Sequence, residues 1–240
     1  MDAITTRKRI SAPERRQSIL VAARKLFAER GFEGAKTSRI AAAAGISEAL
    51  LYRHFPSKEA LYRSVLRNMV REQNQMYDTL GVPEPSTASL VLVIREFLRS
   101  SVATGSGELR EGLRILLASL AGDGSYAGLV YRRAMRLQLV PVEAALSAAR
   151  EAGDIAGDAM SAENAAMFIE HIGTMIAAMR SLPENLMPYR GDADHVLDEA
   201  TLFCCRGIGL TETAIKRTLA ADPAGTGRIA RPRPAPRRPA

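Results

Sequence analysis

Between Thr37 and Phe55 the chain has room for two short helices at a tight turn and for little else. Thr37 is placed to cap the first, and Ile40, Ala41 and Ala44 recur at helical spacing to form its buried side. Gly45 follows, where a left-handed residue closes a helix. Ser47 is the cap expected of the second helix, and Ile46 just before it can staple onto Leu51, the fourth helical position. Phe55-Pro56 ends that helix, because proline drives the residue before it out of the helical region.

A longer helix precedes this pair. Ser11-Ala-Pro-Glu14 has the form of a capping box with proline in the first turn, and Ile19, Ala22, Ala23, Leu26 and Phe27 then recur until Gly31 stops the helix. Three helices of this kind joined by tight turns have the form of a helix-turn-helix unit, whose last helix lies in the major groove of DNA. Thr37–Ala44 would support, and Ser47–Phe55 would read. On the reader, Leu51 and Phe55 lie four apart and pack inward, leaving Ala49, Leu50 and Arg53 on the other side and Glu48 at the leading end.

Charge is distributed to match. The formal net charge is +7, yet residues 1–71 alone carry +9, residues 72–221 carry −6 and residues 222–240 carry +4. A basic first segment joined to an acidic body predicts that the first segment meets a polyanion while the body does something else.

The rest of the chain reads as helical: a helix capped by Ser57 and running to about Asp78, then helices at 87–104, 108–121, 125–152, 161–182 and 194–220, separated by glycine-rich or proline-rich turns. No segment alternates as a strand does, so the fold class is all-α. From Asp222 the sequence collapses into Pro, Arg, Gly and Ala, which supply no core and predict disorder. The expected organisation is a flexible basic arm at 1–12, a DNA-binding domain at 13–60, a helical ligand-binding and dimerisation domain at 61–221 and an Arg/Pro-rich tail at 222–240.

The run Gly45-Ile-Ser-Glu-Ala-Leu-Leu-Tyr-Arg-His-Phe-Pro-Ser-Lys-Glu-Ala-Leu61, with Thr37 opening the preceding helix, resembles the DNA-binding signature of the TetR family of bacterial repressors. The resemblance covers about residues 13–65 and implies an all-helical homodimer whose C-terminal domain binds a small molecule and thereby releases operator DNA. It also implies that Thr37, Tyr52, His54 and Lys58 touch phosphates, while Ser38, Arg39, Glu48, Ala49, Leu50 and Arg53 face the groove. The chemistry agrees, since hydroxyls, an imidazole and an ammonium suit phosphate oxygens, and an arginine suits guanine O6 and N7. Leu50 stands where many members carry a small or hydroxyl side chain, and it fits a thymine methyl. Glu48 has two readings: it accepts from a cytosine N4, or it only favours the helix dipole.

In the body, Ala162, Ala165, Ile169, Ile172, Ile176 and Met179 step by threes and fours, and Val196, Ala200, Phe203, Gly207, Leu210 and Ala214 do the same. Such stripes suit either an ordinary core or an intersubunit four-helix bundle. The resemblance favours the bundle, with Ala165, Ile169, Ile172, Ile176, Met179, Ala200, Phe203, Gly207, Leu210 and Ala214 at the dimer interface. For an effector pocket the shortlist is Tyr126, Tyr131, Met135, Asn164, Met167, His171, Thr174 and Met175, a mixture of adaptable thioethers and polar groups. The same methionines also fill cores, and His171 also reads as a satisfied core histidine.

Other functions find less in the sequence. There is no Gly-x-Ser-x-Gly elbow or phosphate loop, His54, His171 and His195 are too dispersed to suggest a metal site, and no cofactor is implied. Adjacent Cys204 and Cys205 read as small buried hydrophobes. Arg7-Lys-Arg9 and the tail arginines read as solvated charge. With no apolar leader and no long apolar span, a cytoplasmic protein without a membrane partner is expected. The alternatives to a ligand-released repressor are an effector-independent or architectural DNA-binding protein and, more remotely, an enzyme with an appended DNA-binding head.

Overall fold

The computed structural model describes residues 11–80, 83–103, 107–158, 160–182 and 186–221. The tail at 222–240 and all of the basic arm except Ser11 and Ala12 lie outside the described residues. Among the described residues the secondary structure is helical, joined by turns and by one isolated antiparallel bridge between Ile155 and Leu210. The helices are α1 (Ala12–Gly34), α2 (Thr37–Ala43), α3 (Glu48–His54), α4 (Lys58–Leu80), α5 (Thr87–Val102), α6 (Glu108–Ala121), α7 (Ser125–Glu151), α8 (Ala162–Arg180), α9 (Ala193–Gly207) and α10 (Glu212–Ala221).

The described residues form two compact units, those within 1–74 together with 114–126, and those within 75–113 together with 127–221. The division falls beyond the boundary expected at residue 60. Leu61, Val65, Leu66 and Met69 of α4 are buried, Tyr62 sits edge-on to Phe27 at 4.9 Å, and Glu72 pairs with Arg24 at 3.1 Å. The first turns of α4 are therefore part of the first unit's core.

Within that unit α1 starts on the anticipated capping box: the Ser11 hydroxyl accepts from the Glu14 N–H, and the Ser11 N–H donates to the Glu14 carboxylate at 2.8 Å. Gly31, at φ +68°, breaks the helix, and one further turn carries the chain to Gly34. Ile19, Leu20, Ala23 and Phe27 of α1 are buried, as are Ile40, Ala41, Leu51 and Phe55 of α2 and the segment that follows it.

The second unit is organised on α5, which packs against α8, α9 and α10. Leu90, Val91, Ile94 and Leu98 supply its side of the core, with Leu146 and Ala149 of α7 and Leu197, Cys204 and Cys205 of α9 in the same cluster. Gly173 lets α8 lie close: a Cβ there would fall 2.4 Å from the Phe97 ring and 2.8 Å from the Ser101 hydroxyl. Burial pushes the Cys204 thiol up to about 11 and the Cys205 thiol up to about 12, so both stay protonated and packed.

The single helix expected over 194–220 is two. After Gly207 the chain turns through Gly209 at φ +90°, whose carbonyl accepts from the Ala156 N–H at 2.8 Å, while the Thr211 N–H donates to the Asp154 carbonyl at 2.8 Å. Backbone groups that would have continued the helix are spent on the turn between α7 and α8. Asp154, only 7% exposed, fixes that junction through its side chain as well, accepting from Thr87 at 2.7 Å and from Arg217 at 2.6 Å.

The interface expected from the two apolar stripes needs correction. Ala165, Ile176, Leu210 and Ala214 are buried within their own unit, and Ile169, Ile172 and Ala200 pack against the same core. Met179 is half-buried. Only Phe203 and Gly207 of the expected set are exposed. The reason is that the wider stripe of each helix faces the intramolecular core, where α5 covers it, leaving a narrower apolar face outside: Phe168 at 52%, Met175 at 49% and Phe203 at 66% exposure.

Candidate nucleic-acid interface

The first unit carries the expected DNA-contact residues on α2, α3 and the start of α4. Lys36, not Thr37, occupies the cap of α2, and no side chain bonds there; Thr37 is the first helical residue. Lys36 is the residue with extended backbone before the helix, and the Thr37 hydroxyl is used elsewhere: it donates to the Glu48 carboxylate at 2.5 Å and lies 3.2 Å from the Tyr52 hydroxyl. Gly45 turns the chain at φ +66°, and the Ile46 N–H donates to the Ala41 carbonyl at 3.0 Å, closing α2. Ser47 then caps α3 as expected, its hydroxyl accepting from the Leu50 N–H at 3.2 Å.

Leu51 and Phe55 point into the core, so the rest of α3 is fixed in rotation. Ser38 and Arg39 on α2 and Glu48, Ala49, Tyr52 and Arg53 on α3 are exposed, and Leu50 and His54 are half-buried. Phe55 is covered by the Arg16 guanidinium, 4.7 Å from the ring centroid, and His54 lies beside it at 6.5 Å. Lys58 is held at its root in the unit, with its ammonium 4.6 Å over the Phe32 ring and donating to the Glu33 carbonyl at 3.1 Å. Thr37, Glu48 and Tyr52 are thus brought into direct contact, while Lys58 is tied to the end of α1. The contribution of Phe32 and Glu33 went unread in the sequence; the aromatic residue next to the Gly31 break was its available sign.

The effector shortlist is more scattered. Tyr126 is buried in the first unit, while Tyr131, Met135, Asn164, Met167, His171, Thr174 and Met175 belong to the second. Tyr131 meets His171 edge-on at 5.4 Å, and Thr174 donates to Glu170 at 3.5 Å. Burial holds the Glu170 carboxyl above the usual carboxylate range and, with Glu170 nearby, raises the Tyr131 phenol. Asn164, His171 and Met175 face solvent, and Met135 and Met167 are half-buried. An open groove of about 790 Å³ runs along the outer face of α1, between Glu14 and Glu29, and over Arg39, Ala43 and Ala44 of α2. A second, of about 530 Å³, lies on α9 beside Phe203 and Gly207. Neither is lined by a shortlisted residue.

Among the described residues no helix is long and apolar enough to cross a membrane. No group of His, Cys, Asp and Glu side chains among them is gathered to hold a metal ion.

Comparison with known proteins points the same way for the first unit. Residues 19–65 match the family model of the bacterial regulatory proteins, tetR family. The nucleoid occlusion factor SlmA of Pasteurella multocida is 47% identical over 60 residues, which is 25% of this chain and 30% of that protein. The chain matches less than a third of the length of such curated relatives. Solved structures extend the likeness in fold over both units. A TetR-like transcriptional regulator from Rhodococcus sp. RHA1 superposes with a TM-score of 0.60 at 20% identity, over 83% of this chain and 98% of that one. AibR, solved in complex with isovaleryl coenzyme A and operator DNA, superposes with a TM-score of 0.57 at 20% identity, over 82% of this chain and 100% of that one. Joined to the α2–turn–α3 arrangement and its exposed polar face, these matches show that residues 19–65 are similar to the part of the tetR family of bacterial regulatory proteins that its family model describes, and that the chain shares the fold of TetR-like structures.

Proposed function

We propose that the protein is a cytoplasmic, homodimeric transcriptional repressor that binds operator DNA through α3 and is released from it by a small-molecule effector. The observation that carries the DNA reading is the exposed face of α2 and α3. Ser38 and Arg39 point outward from α2, and Glu48, Ala49 and Arg53 from a reader helix α3 whose rotation Leu51 and Phe55 fix, flanked by Tyr52, His54 and Lys58 for the phosphates. Leu50, half-buried, contributes its exposed part to the same face. The dimer reading rests on the outward apolar face of α8 and α9, where Phe168, Met175 and Phe203 stand exposed in a way that a dry, two-fold contact would relieve. Support for an effector comes from the shared fold, since AibR holds isovaleryl coenzyme A and operator DNA. The effector must bind the DNA-incompetent state more tightly, and operator DNA must then weaken effector binding by the same factor.

One observation favours the effector-independent alternative. Asn164, His171 and Met175 of the shortlist face solvent and therefore do not line an enclosed site.

Selection of duplexes from a randomised library by the purified protein, followed by anisotropy titrations, tests the DNA reading. The expected product is a two-fold symmetric sequence with half-sites about one helical turn, ~34 to 36 Å, apart or at a compatible spacing. Arg53→Ala should cost ~1 to 3 kcal/mol and relax preference at one position, whereas Lys58→Ala should weaken all sequences alike and lower the salt slope by ~1. Recovery of no preferred sequence, or identical losses from both variants, refutes the assignment. For the effector, a metabolite found by thermal shift should bind more weakly once operator DNA is present, and equal binding in both conditions leaves the effector-independent reading.

A further inference from the structure

We infer that Glu48 is a gate that couples base recognition to phosphate binding, by withholding the Thr37 and Tyr52 hydroxyls until its carboxylate is taken by a base. The inference rests on the DNA-binding reading above.

Thr37 has one hydroxyl proton, and an ionised carboxylate has none to offer, so in the 2.5 Å contact Thr37 must be the donor and Glu48 the acceptor. The Thr37 oxygen is then left with lone pairs alone. In its 3.2 Å contact with Tyr52 the phenol must supply the proton, so the Tyr52 hydroxyl is the donor there. A phosphate oxygen is an acceptor and needs a donor. In the DNA-free protein both hydroxyl protons expected to meet phosphate are already committed inside the unit, in a relay that ends on Glu48. A carboxylate this close to the hydroxyls also repels the phosphate they would hold.

The relay opens when a better donor reaches Glu48. Glu48 is the first residue of α3, exposed at the leading end of the reader. The exocyclic amine of cytosine N4 is the major-groove donor that a carboxylate accepts from. When that amine occupies the carboxylate, Thr37 is freed to turn its proton to a phosphate, and Tyr52 follows because its own bond ran to the Thr37 oxygen. No hydrogen bond is lost overall, since each donor exchanges one acceptor for another. On a duplex lacking the amine at that position, phosphate contact is made only by breaking the Thr37–Glu48 bond without replacement, and the carboxylate stays unmatched beside the backbone. A single residue thereby lowers affinity for wrong sequences more than for the right one, which is discrimination by penalty.

The same chemistry sets the test. Titration of wild type, Glu48→Ala and Glu48→Gln against a short mixed-sequence duplex and against the sequence enriched by the wild type reads both halves of the gate. Glu48→Ala should bind the mixed-sequence duplex roughly five- to tenfold more tightly than wild type, the scale of one ordinary hydrogen bond recovered net, and lose preference at one base pair. Glu48→Gln keeps an acceptor for Thr37 while removing the charge, so it should gain less on the mixed sequence and move its preference at that position from cytosine toward adenine. Thr37→Val with Tyr52→Phe in the Glu48→Ala background should remove the part of the gain that the freed hydroxyls supply, leaving only the part that comes from the lost charge. Helical content and melting temperature, measured alongside, keep a folding defect from passing as a binding effect. If a folded Glu48→Ala binds the mixed-sequence duplex no more tightly than wild type, the gate is wrong while the DNA-binding reading stands. If the wild type itself enriches no sequence, that reading fails first and the gate falls with it.

Discussion

The exposed faces of α3 and α8 lie on helices built by similar rules, yet they differ in chemistry: large apolar side chains stand outside on α8 and not on the reader face of α3. On α3 the buried pair Leu51 and Phe55 leaves Glu48, Tyr52 and Arg53 outside, every one able to form a hydrogen bond. On α8 the buried set Ala165, Ala166, Ile176 and Ala177 leaves Phe168 and Met175 outside together with Asn164 and His171, with Phe203 of α9 exposed in the same unit. A polar face tolerates water while it waits for a partner and gains from charge and geometry. An apolar face loses free energy for as long as it is wet. The first therefore suits a reversible encounter with a polyanion, and the second suits a partner that stays. If so, the same kind of damage should have separable consequences on the two faces.

The largest effect should come from Phe203→Glu. A carboxylate in place of a central aromatic residue of a dry interface should raise the dimer dissociation constant by roughly a hundredfold or more, the loss typical of a hot-spot residue. Sedimentation equilibrium reads this directly. Arg53→Glu puts the same charge on the other face and should leave the dimer intact while removing DNA affinity. A monomeric wild type, or a Phe203→Glu protein as dimeric as wild type, breaks the contrast by showing that the α8–α9 face is not the contact between subunits.

Gly173→Ala should come next, and it acts on the inside of α8. The new methyl group would meet the Phe97 ring at 2.4 Å and the Ser101 hydroxyl at 2.8 Å, so α8 must move off α5 or Phe97 must leave its place. Overpacking of this kind costs about 1 to 3 kcal/mol. The contrast sharpens if the chemical-denaturation midpoint falls in proportion while mixed-sequence DNA binding at low temperature holds, because the damage then stays in the second unit. An unchanged midpoint would mean that the α5–α8 approach is looser than described.

These two outcomes bear on why the first unit could be read from its residues and the second only in outline. Ser11 with Glu14, Ser47 and Gly45 each announce themselves, because a cap or a left-handed turn is a local requirement met by few residue types. Thr37 stands one position past the cap of α2, and its hydroxyl bonds Glu48, eleven residues away; nothing in the local pattern shows a bond of that range. The break after Gly207 is of the same kind. Gly207 and Gly209 stand within a stretch whose apolar spacing continues unbroken into Ala214, and what ends the helix is pairing with residues 154–156. Periodicity also located the apolar stripes of α8 and α9 without saying which partner covers them. Ala165 and Ile176 face α5's side of the core, and the face left exposed, with Phe168, is the smaller and less regular one.

The smallest effect belongs to acid, and it distinguishes the units by where their carboxylates sit. In the first unit Glu14 and Glu59 are held below the usual carboxylate range by serine hydrogen bonds at helix starts, fully exposed to solvent. In the second, Asp154 is held low by its bond from Thr87 first and from Arg217 second, at a junction that joins α5, the α7–α8 turn and α10. A carboxyl whose folded value is depressed contributes stability above its unfolded value, and that contribution is lost as pH falls through the folded one. Asp154 therefore stabilises the second unit at neutral pH and ceases to do so well into the acid range. Glu170 has the opposite sign: burial raises it, so its charged form costs stability as pH rises through the folded value. Asp154→Asn should lower stability at pH 7 by about 1 kcal/mol, with the Arg217 share discounted because that side chain is 59% exposed, and should flatten the acid limb of the stability curve. Glu170→Gln should raise stability at neutral pH and change little in strong acid, where the native carboxyl is already protonated. Urea denaturation followed from pH 7 downward measures both. An Asp154→Asn protein with an acid limb as steep as wild type would place the pH sensitivity elsewhere, among the exposed caps of the first unit, and would erase the distinction between a body locked by a buried acid and a head held by local caps.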